Sequence, residues 1–234
     1  MSAGQSETEG KIVLLKIIHV YGMMMLAAFG QTLLLALLSL IVACLLGLLF
    51  GLLGTVQNRL CNWLSIIYVN AIRGWPLIVL AFFIYFTIPQ FLRDIGFGNV
   101  RLSALNAGII ALSLNCGAYM AEIMRAGIQS VPAGQMEAAR SLGMSYSHSM
   151  YKVVLPQAIR TMIPSIINQF IITLKDTSIL SVIGFPELTN TTKTVVANTM
   201  NTQGWAIAGV MYMVVILLLS YLSHRVEGRL SNGR

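Results

Sequence analysis

MMMLAAFGQTLLLALLSLIVACLLGLLFGLL, residues 23–53, holds no charged side chain, and Gln31, Thr32 and Ser39 are its only amide or hydroxyl side chains. About 20 apolar residues suffice to carry a helix across the hydrocarbon layer, so this stretch spans a membrane with length to spare. Inside lipid every backbone N–H and C=O must be satisfied within the chain, and a helix does this one segment at a time. Four more stretches of the same character lie at about 64–90, 104–124, 157–183 and 205–223. The expected fold is therefore all-α: a polytopic membrane protein of five transmembrane helices.

Composition agrees, with 56% hydrophobic against 10% charged residues and a mean hydropathy of +0.77, outside the range of soluble domains. The net charge of +7 comes from basic residues spread singly along the chain. Without a run that a phosphate backbone would select, no nucleic-acid partner is expected. Membrane lipid is the surrounding phase. One transmembrane domain is read over 23–228, with no internal repeat of 20 to 50 residues. It follows a segment, 1–22, that begins polar and turns amphipathic over Lys11–Tyr21, which suits the membrane surface. A short tail, 229–234, ends the chain. No basic region precedes a short apolar core with a small-residue cleavage site, so the first span is expected to direct insertion itself.

Five spans put the termini on opposite sides, and basic residues choose which. With the C-terminus in the cytoplasm, that side holds Arg59, Arg125, Arg140, Lys152, Arg160, Arg225, Arg229 and Arg234. The other side holds Lys11, Lys16, Arg93, Arg101 and Lys193. This arrangement makes the loop at 130–156 cytoplasmic and leaves Arg73 and Lys175 as basic residues within spans.

That loop is polar yet built of helix formers. Ser130 and Pro132 suit a helix start, where the missing proline N–H costs nothing. Glu137, Ala138, Ala139 and Arg140 continue the helix until Gly143, which suits the left-handed conformation that ends one. A second short helix is predicted at about Ser145–Val153, at an angle to the first, with Pro156 opening the fourth span. Two helices meeting at a glycine make a docking knob, with Glu137 free to face a basic partner. An ordinary amphipathic connector is the other reading of the same residues.

Polar groups within the spans form a second constellation, because charge at that depth is expensive and faces a cavity or a partner. Asn115, Tyr119 and Glu122, at i, i+4 and i+7, fall within about a 60° arc of one helix face. On the fourth span Asn168 and Lys175 share a face, and Gln169, Thr173 and Asp176 the adjacent one, all beyond Pro164, where a kink is expected. Together with Ser178 these residues are candidates for a substrate pathway, with structural pairing as the alternative for Lys175 and Asp176. The ion pairs weighed are Arg73 with Glu122, and Lys175 with Asp176 of a second protomer. Arg73, close to Pro76 where the second span is expected to bend, is assigned a structural or gating role there.

Glu137-Ala138-Ala139, Gly143 and Leu155-Pro156, at these spacings between the third and fourth of five spans, resemble the EAA loop of ABC-transporter permeases. Val153 stands where an isoleucine is usual. Gly30-Gln31-Thr32-Leu33 with Ser39, Arg73-Gly74-Trp75-Pro76, Asn115 to Tyr119 with Ala121-Glu122-Ile123, and Lys175-Asp176-Thr177-Ser178 look like the polar amino acid uptake family, the glutamine and histidine type. The similarity runs from about Gly30 to Glu227, with Trp75 where threonine is frequent. It implies that Glu137, Ala138, Ala139, Gly143, Leu155 and Pro156 belong to coupling helices seated in a separate ATP-binding subunit. It further implies a second permease, the same chain or a homologous one, a solute-binding protein outside, and a polar amino acid, glutamine as first choice, as cargo.

This chain has no G-x-x-x-x-G-K-[ST] loop: Gly10-Lys11 is followed by Ile12. No cofactor is expected here, ATP being bound by the partner subunits, and no HExxH or GxSxG pattern suggests an enzyme. An ABC permease for another small solute is one alternative. An ion-coupled secondary transporter, relaying charge through Glu122, Lys175 and Asp176, is the other; it gives the loop no task and finds no inverted repeat.

Cys44, Cys61 and Cys116 have no metal-ligand spacing, and His19, His148 and His224 are isolated, so no metal site is expected. Gly47 and Gly51 form a small-xxx-small pattern expected to serve packing within the subunit. The connection 184–204 is long enough for a partly helical cap, with a solvated loop as the plainer expectation.

Overall fold

A computed structural model describes the backbone of residues 3–56 and 58–231, and the side chains of 12, 14–56 and 58–228. Among the described residues there are eight helices and no strand. They are α1 (Ala3–Leu53), α2 (Arg59–Arg73), α3 (Leu77–Asp94), α4 (Ala104–Gln129), α5 (Ala133–Ser141), α6 (Tyr146–Ile183), α7 (Leu188–Thr199) and α8 (Gln203–Ser231). Helices α1, α3, α4, α6 and α8 are long and apolar enough to cross a membrane. The all-α class and the count of five stand, while three boundaries move.

The first span does not begin at Met23. Helix α1 runs unbroken through Gly22 for 51 residues, about 76 Å at 1.5 Å per residue, far more than the hydrocarbon thickness. Its first turns therefore reach beyond the membrane as an extension of the span. Rather than lying apart on a surface, the Lys11–Tyr21 stretch places Ile17, 2% exposed, in a cluster with Met25, Leu188, Val195 and Ala208. The expected tail, 229–234, loses its boundary too: α8 continues through Ser231, and residues 232–234 lie outside the described ones.

The second predicted span, 64–90, is two helices. Pro76 offers no N–H and pushes Trp75 out of the helical region, so α2 stops at Arg73 and α3 starts at Leu77. Gly74 N–H still donates to Asn70 O, and Leu80 N–H to Pro76 O, so the break strands few backbone groups. A π turn at Phe83–Thr87 lies within α3.

The third change concerns Pro156, which does not restart a helix after a gap. Helix α6 is continuous from Tyr146, with a π turn at Met150–Val154 immediately before Leu155-Pro156. There Leu155 N–H donates to Met150 O, an i→i+5 bond, and the wider turn accommodates the proline's missing donor. The helix ends in a 3₁₀ turn at Thr177–Ile183.

The centre of the fold is the crossing of α1 and α4. A Cβ built on Gly47 would fall 2.4 Å from Met120 Cβ, and one on Gly51 2.8 Å from Met124 Cβ, so two backbones approach as only small residues allow. Gly117, from the other side, meets Leu46 Cβ at 2.8 Å. Gly47 and Gly51 thus pack within the subunit, as expected. Ser113 donates to Ser39 O at 3.1 Å and Tyr68 to Leu114 O at 2.9 Å, adding polar ties inside an apolar interior. The outer faces of α1 and α8, Leu45, Leu48, Leu217 and Leu218 among them, are exposed and suit lipid.

Residues 184–204 are a packed cap and not a solvated loop. Gly184 takes φ +78°, the chain turns, and Glu187 caps α7 with its carboxylate accepting from Thr189 N at 2.8 Å and Asn190 N at 2.6 Å. Tyr212 of α8 donates to the same carboxylate at 2.9 Å. Glu187 is fully buried, and burial pushes its carboxyl above the usual carboxylate range, with those hydrogen bonds pulling the other way. Leu188 N–H, donating to Thr32 Oγ1, ties the cap to α1.

Candidate functional site

The loop between α4 and α6 is a surface built for contact. Pro132 precedes α5, and the helix closes with a paired capping arrangement: Gly143 N–H donates to Arg140 O, and Met144 N–H to Ala139 O. The arrangement requires a left-handed residue, and Gly143 supplies it at φ +86°. Ser145 then caps the first turn of α6, accepting from His148 N. The two helices the sequence predicted are therefore present, the second merged into the fourth span.

Of the loop residues singled out in the sequence, Ala139 points inward at 5% exposure, and Glu137, Ala138, Gly143 and Pro156 are exposed, with Leu155 half-buried. Glu137 makes no ion pair among the described residues. Leu142 is 85% exposed, a bare leucine at the tip beside Gly143. Sequence reading passed over it, because a leucine before a helix-ending glycine looks like part of the helix's apolar side. Beneath the tip, Met136 and Met150 pack on a buried cluster of Ile128, Val154, Ala158 and Met162, which joins the loop to the ends of α4 and α6. Methionine's flexible thioether suits a joint of this kind.

Two adjoining cavities of about 610 and 520 Å³ open on one side of the helix bundle. Arg73, Tyr119 and Gln169 border both, so they form one recess. Tyr119 and Glu122 of α4 face it together with Asn168 of α6, and Asn115 and Asp176 border its smaller part beside Pro76. The broken second span positions Arg73: ending α2 there aims the guanidinium into the recess, 4.9 Å from the centre of the Tyr119 ring. Arg73 is thus held over a ring instead of bonding backbone carbonyls at a kink.

The anticipated Arg73–Glu122 ion pair is replaced by one within α4. Arg125 reaches back one turn, its Nε donating to Glu122 at 3.2 Å, with Gln129 accepting from the same guanidinium at 3.1 Å. Arg73 and Glu122 both also border a smaller polar recess of about 380 Å³ between α2 and the end of α4.

Two predicted pathway residues lie elsewhere. Lys175 is exposed and borders none of these cavities, and Ser178 donates back to Lys175 O at 2.7 Å. Conversely, Gln169, 6% exposed, sits at the centre of the recess, and Ser223, His224 and Glu227 of α8 close its far end. Ser223 donates to Glu227 at 3.1 Å. They lie at and just beyond the end of the last span read from sequence, 205–223. No cluster of metal-ligating side chains occurs among the described residues.

Chemically, the guanidinium of Arg73 and the carboxylates of Glu122, Asp176 and Glu227 give the amide-bearing recess groups of both signs, the kinds of group that a zwitterion can meet. Comparison with known proteins shows the family to which the chain belongs. Residues 43–232 match the family described as binding-protein-dependent transport system inner membrane component. The chain is 34% identical over 201 residues to the glutamine transport system permease protein of Escherichia coli strain K12, covering 86% of this chain and 90% of that one. With the L-cystine transport system permease protein of Bacillus subtilis the identity is 39% over 199 residues, covering 84% and 82%. A solved amino acid ABC transporter with histidines superposes with a TM-score of 0.84 at 35% identity, covering 92% of this chain and 98% of that one.

Proposed function

The chain belongs to the family of inner membrane components of binding-protein-dependent transport systems, and from that premise we propose that it carries polar amino acids, glutamine as first choice, through an ATP-driven importer. It is the membrane-spanning permease subunit; ATP binding and hydrolysis are assigned to separate ATP-binding subunits, a second permease completes the pathway, and an extracytoplasmic solute-binding protein delivers the cargo. The loop and the C-terminus face the cytoplasm, the side richer in basic residues.

The observation that carries this reading is a projecting knob continuous with a charged recess. Leu142 and Glu137 stand out at the tip, the closing turn at Gly143 fixes their direction, and Ala139 anchors the base. Movement of an ATP-binding subunit against this tip is passed through the Met136, Met150 and Met162 cluster into the ends of α4 and α6. Those two helices bear Tyr119, Glu122, Asn168, Gln169 and Asp176, so the same displacement opens or shuts the recess. Arg73 takes the substrate carboxylate, while Glu122 and Asp176 take its ammonium. Rocking two permeases about a midplane site gives alternating access.

The test is copurification followed by stimulation. The chain retains a subunit with a nucleotide-binding loop in detergent, and amino acid loaded on the binding protein raises its ATPase rate. A complex that hydrolyses ATP at one rate with and without every amino acid in a panel contradicts the assignment.

A further inference from the structure

Between Arg73, where α2 ends, and Leu77, where α3 begins, Trp75 is the one large side chain. Pro76 keeps it out of the helical region, and its N–H still donates to Ile72 O at 3.2 Å, so the break fixes where the indole stands. The ring meets Phe83 of α3 edge to face, with centres 5.0 Å apart and planes at 72°, and Trp75 remains 42% exposed. In such a pair one ring gives an edge and the other a face, so at least one face of the indole stays uncovered by Phe83. Arg73, two residues back, lies over the Tyr119 ring instead.

Trp75 borders the cavity of about 520 Å³ and not that of about 610 Å³, while Arg73, Tyr119 and Gln169 border both. A ligand whose carboxylate is held by Arg73 therefore lies at the joint of the two, with Trp75, Leu77, Asn115, Ile172 and Asp176 around the smaller arm. Leu77 and Ile172 suit the methylenes of a side chain, and Asn115 and Gln169 offer amide donors and acceptors to its end. A planar end group, a carboxamide or a guanidinium, lies flat on an aromatic face. A carboxylate in the same arm meets the like charge of Asp176, which opposes it. Glutamine and glutamate, close in shape, are thus separated by charge.

We propose that Trp75 is a specificity-determining residue: its open indole face is the flat wall of a side-chain pocket in the smaller arm, which selects amino acids ending in a planar hydrogen-bonding group over short or anionic ones. The inference rests on the permease reading and adds to it which part of the recess reads the side chain.

Direct binding to the complex with no solute-binding protein present tests this, because the selectivity measured is then that of the membrane chain. The chain is purified in detergent with its ATP-binding subunits, and labelled glutamine and labelled arginine are titrated and displaced with alanine, serine and glutamate. The parent is expected to hold glutamine, arginine or both at least about tenfold tighter than those three competitors. Trp75→Thr should lower the ratio of planar ligand to alanine by about 2- to 10-fold, the size of a lost aromatic contact, since alanine is too short to reach the ring. Trp75→Phe, which keeps a flat face, should hold the ratio within about twofold. Trp75→Leu, which keeps bulk and removes the ring, should lose it as threonine does, and is read in its place if Trp75→Thr does not assemble. Asp176→Asn should bring glutamate to within about threefold of glutamine.

A loss equal for every ligand, as a merely structural residue gives, overturns the proposal, as does a series in which threonine, leucine and phenylalanine all bind like the parent. A parent that prefers alanine, serine or glutamate, or that keeps its ATP-binding subunits and binds none of the five, overturns it too and leaves the permease reading standing. A chain that retains no ATP-binding subunit and binds no amino acid contradicts the permease reading, and the proposal with it.

Discussion

Replacing Gly143 separates the shape of the loop from its bulk. The residue sits at φ +86°, and a Cβ placed there meets nothing within 4 Å, so alanine is penalised by backbone conformation alone. Holding a side chain in the left-handed region costs roughly 1–2 kcal/mol. A shift of that size lowers the population of the closed turn by about 5- to 30-fold. What is lost is the geometry that aims Leu142, not the insertion of the spans. Gly143→Asn, which tolerates left-handed backbone, is expected to stay close to the parent, while Gly143→Val, stiffened at its branched Cβ, falls below Gly143→Ala. The assay is ATPase stimulation by loaded binding protein in nanodiscs, with retention of the ATP-binding subunit measured on the same samples. An order of Gly, Asn, Ala, Val in both readouts supports the reasoning. Equal activity across the series, or asparagine as damaging as valine, would refute it.

Leu142→Asp is expected to lower retention of the ATP-binding subunit with no change in thermal stability of the isolated chain, since the side chain touches little of its own fold. Gly47→Ala should destabilise the α1–α4 crossing by about 1–3 kcal/mol, because the 2.4 Å approach is to Met120 Cβ beside backbone. Gly127→Ala, whose Cβ would fall 2.0 Å from Cγ of the buried Met162, should destabilise the contact of α4 with α6 as well, and melting curves in detergent read both. Glu187→Ala removes the cap of α7 and should cost about 0.5–2 kcal/mol, read from the same melts. Because the folded Glu187 holds its proton to higher pH than the unfolded one, its contribution is full below the ordinary carboxylate pKa and is lost as pH rises through the raised value. Glu187→Gln should flatten that slope. Tyr119→Phe keeps the ring under Arg73 and should retain uptake, whereas Tyr119→Ala, leaving Arg73 without its platform, should not.

The loop was legible because its signals are local. Proline, glycine and serine at 132, 143 and 145 each fix a backbone conformation whatever surrounds them, and the helices end where those residues demand. The face of α4 was legible for a similar reason, since spacing alone puts Asn115, Tyr119 and Glu122 together. What failed depends on tertiary rotation. Spacing puts Asn168 and Lys175 on one face of α6, and both are exposed, but it cannot say how far along that face the recess runs, and the recess ends short of Lys175. The Gly74-Trp75-Pro76 break was visible as a bend, but its depth follows from how completely α3 re-forms against α4 beyond Pro76. The end of α1 was misjudged for lack of a local stop: nothing at Gly22 prevents a helix from continuing when Leu188 and Val195 cover Ile17.

The central claim is that ATP hydrolysis elsewhere drives solute through this chain. Uptake of labelled glutamine and of a panel of polar amino acids into proteoliposomes that hold the purified complex, with binding protein outside and ATP inside, tests it most directly. Accumulation of at least one of them is predicted to require hydrolysable ATP and binding protein, to survive a protonophore, and to be lost in the Gly143→Val variant. Accumulation that proceeds without ATP and collapses with the proton gradient would contradict the account.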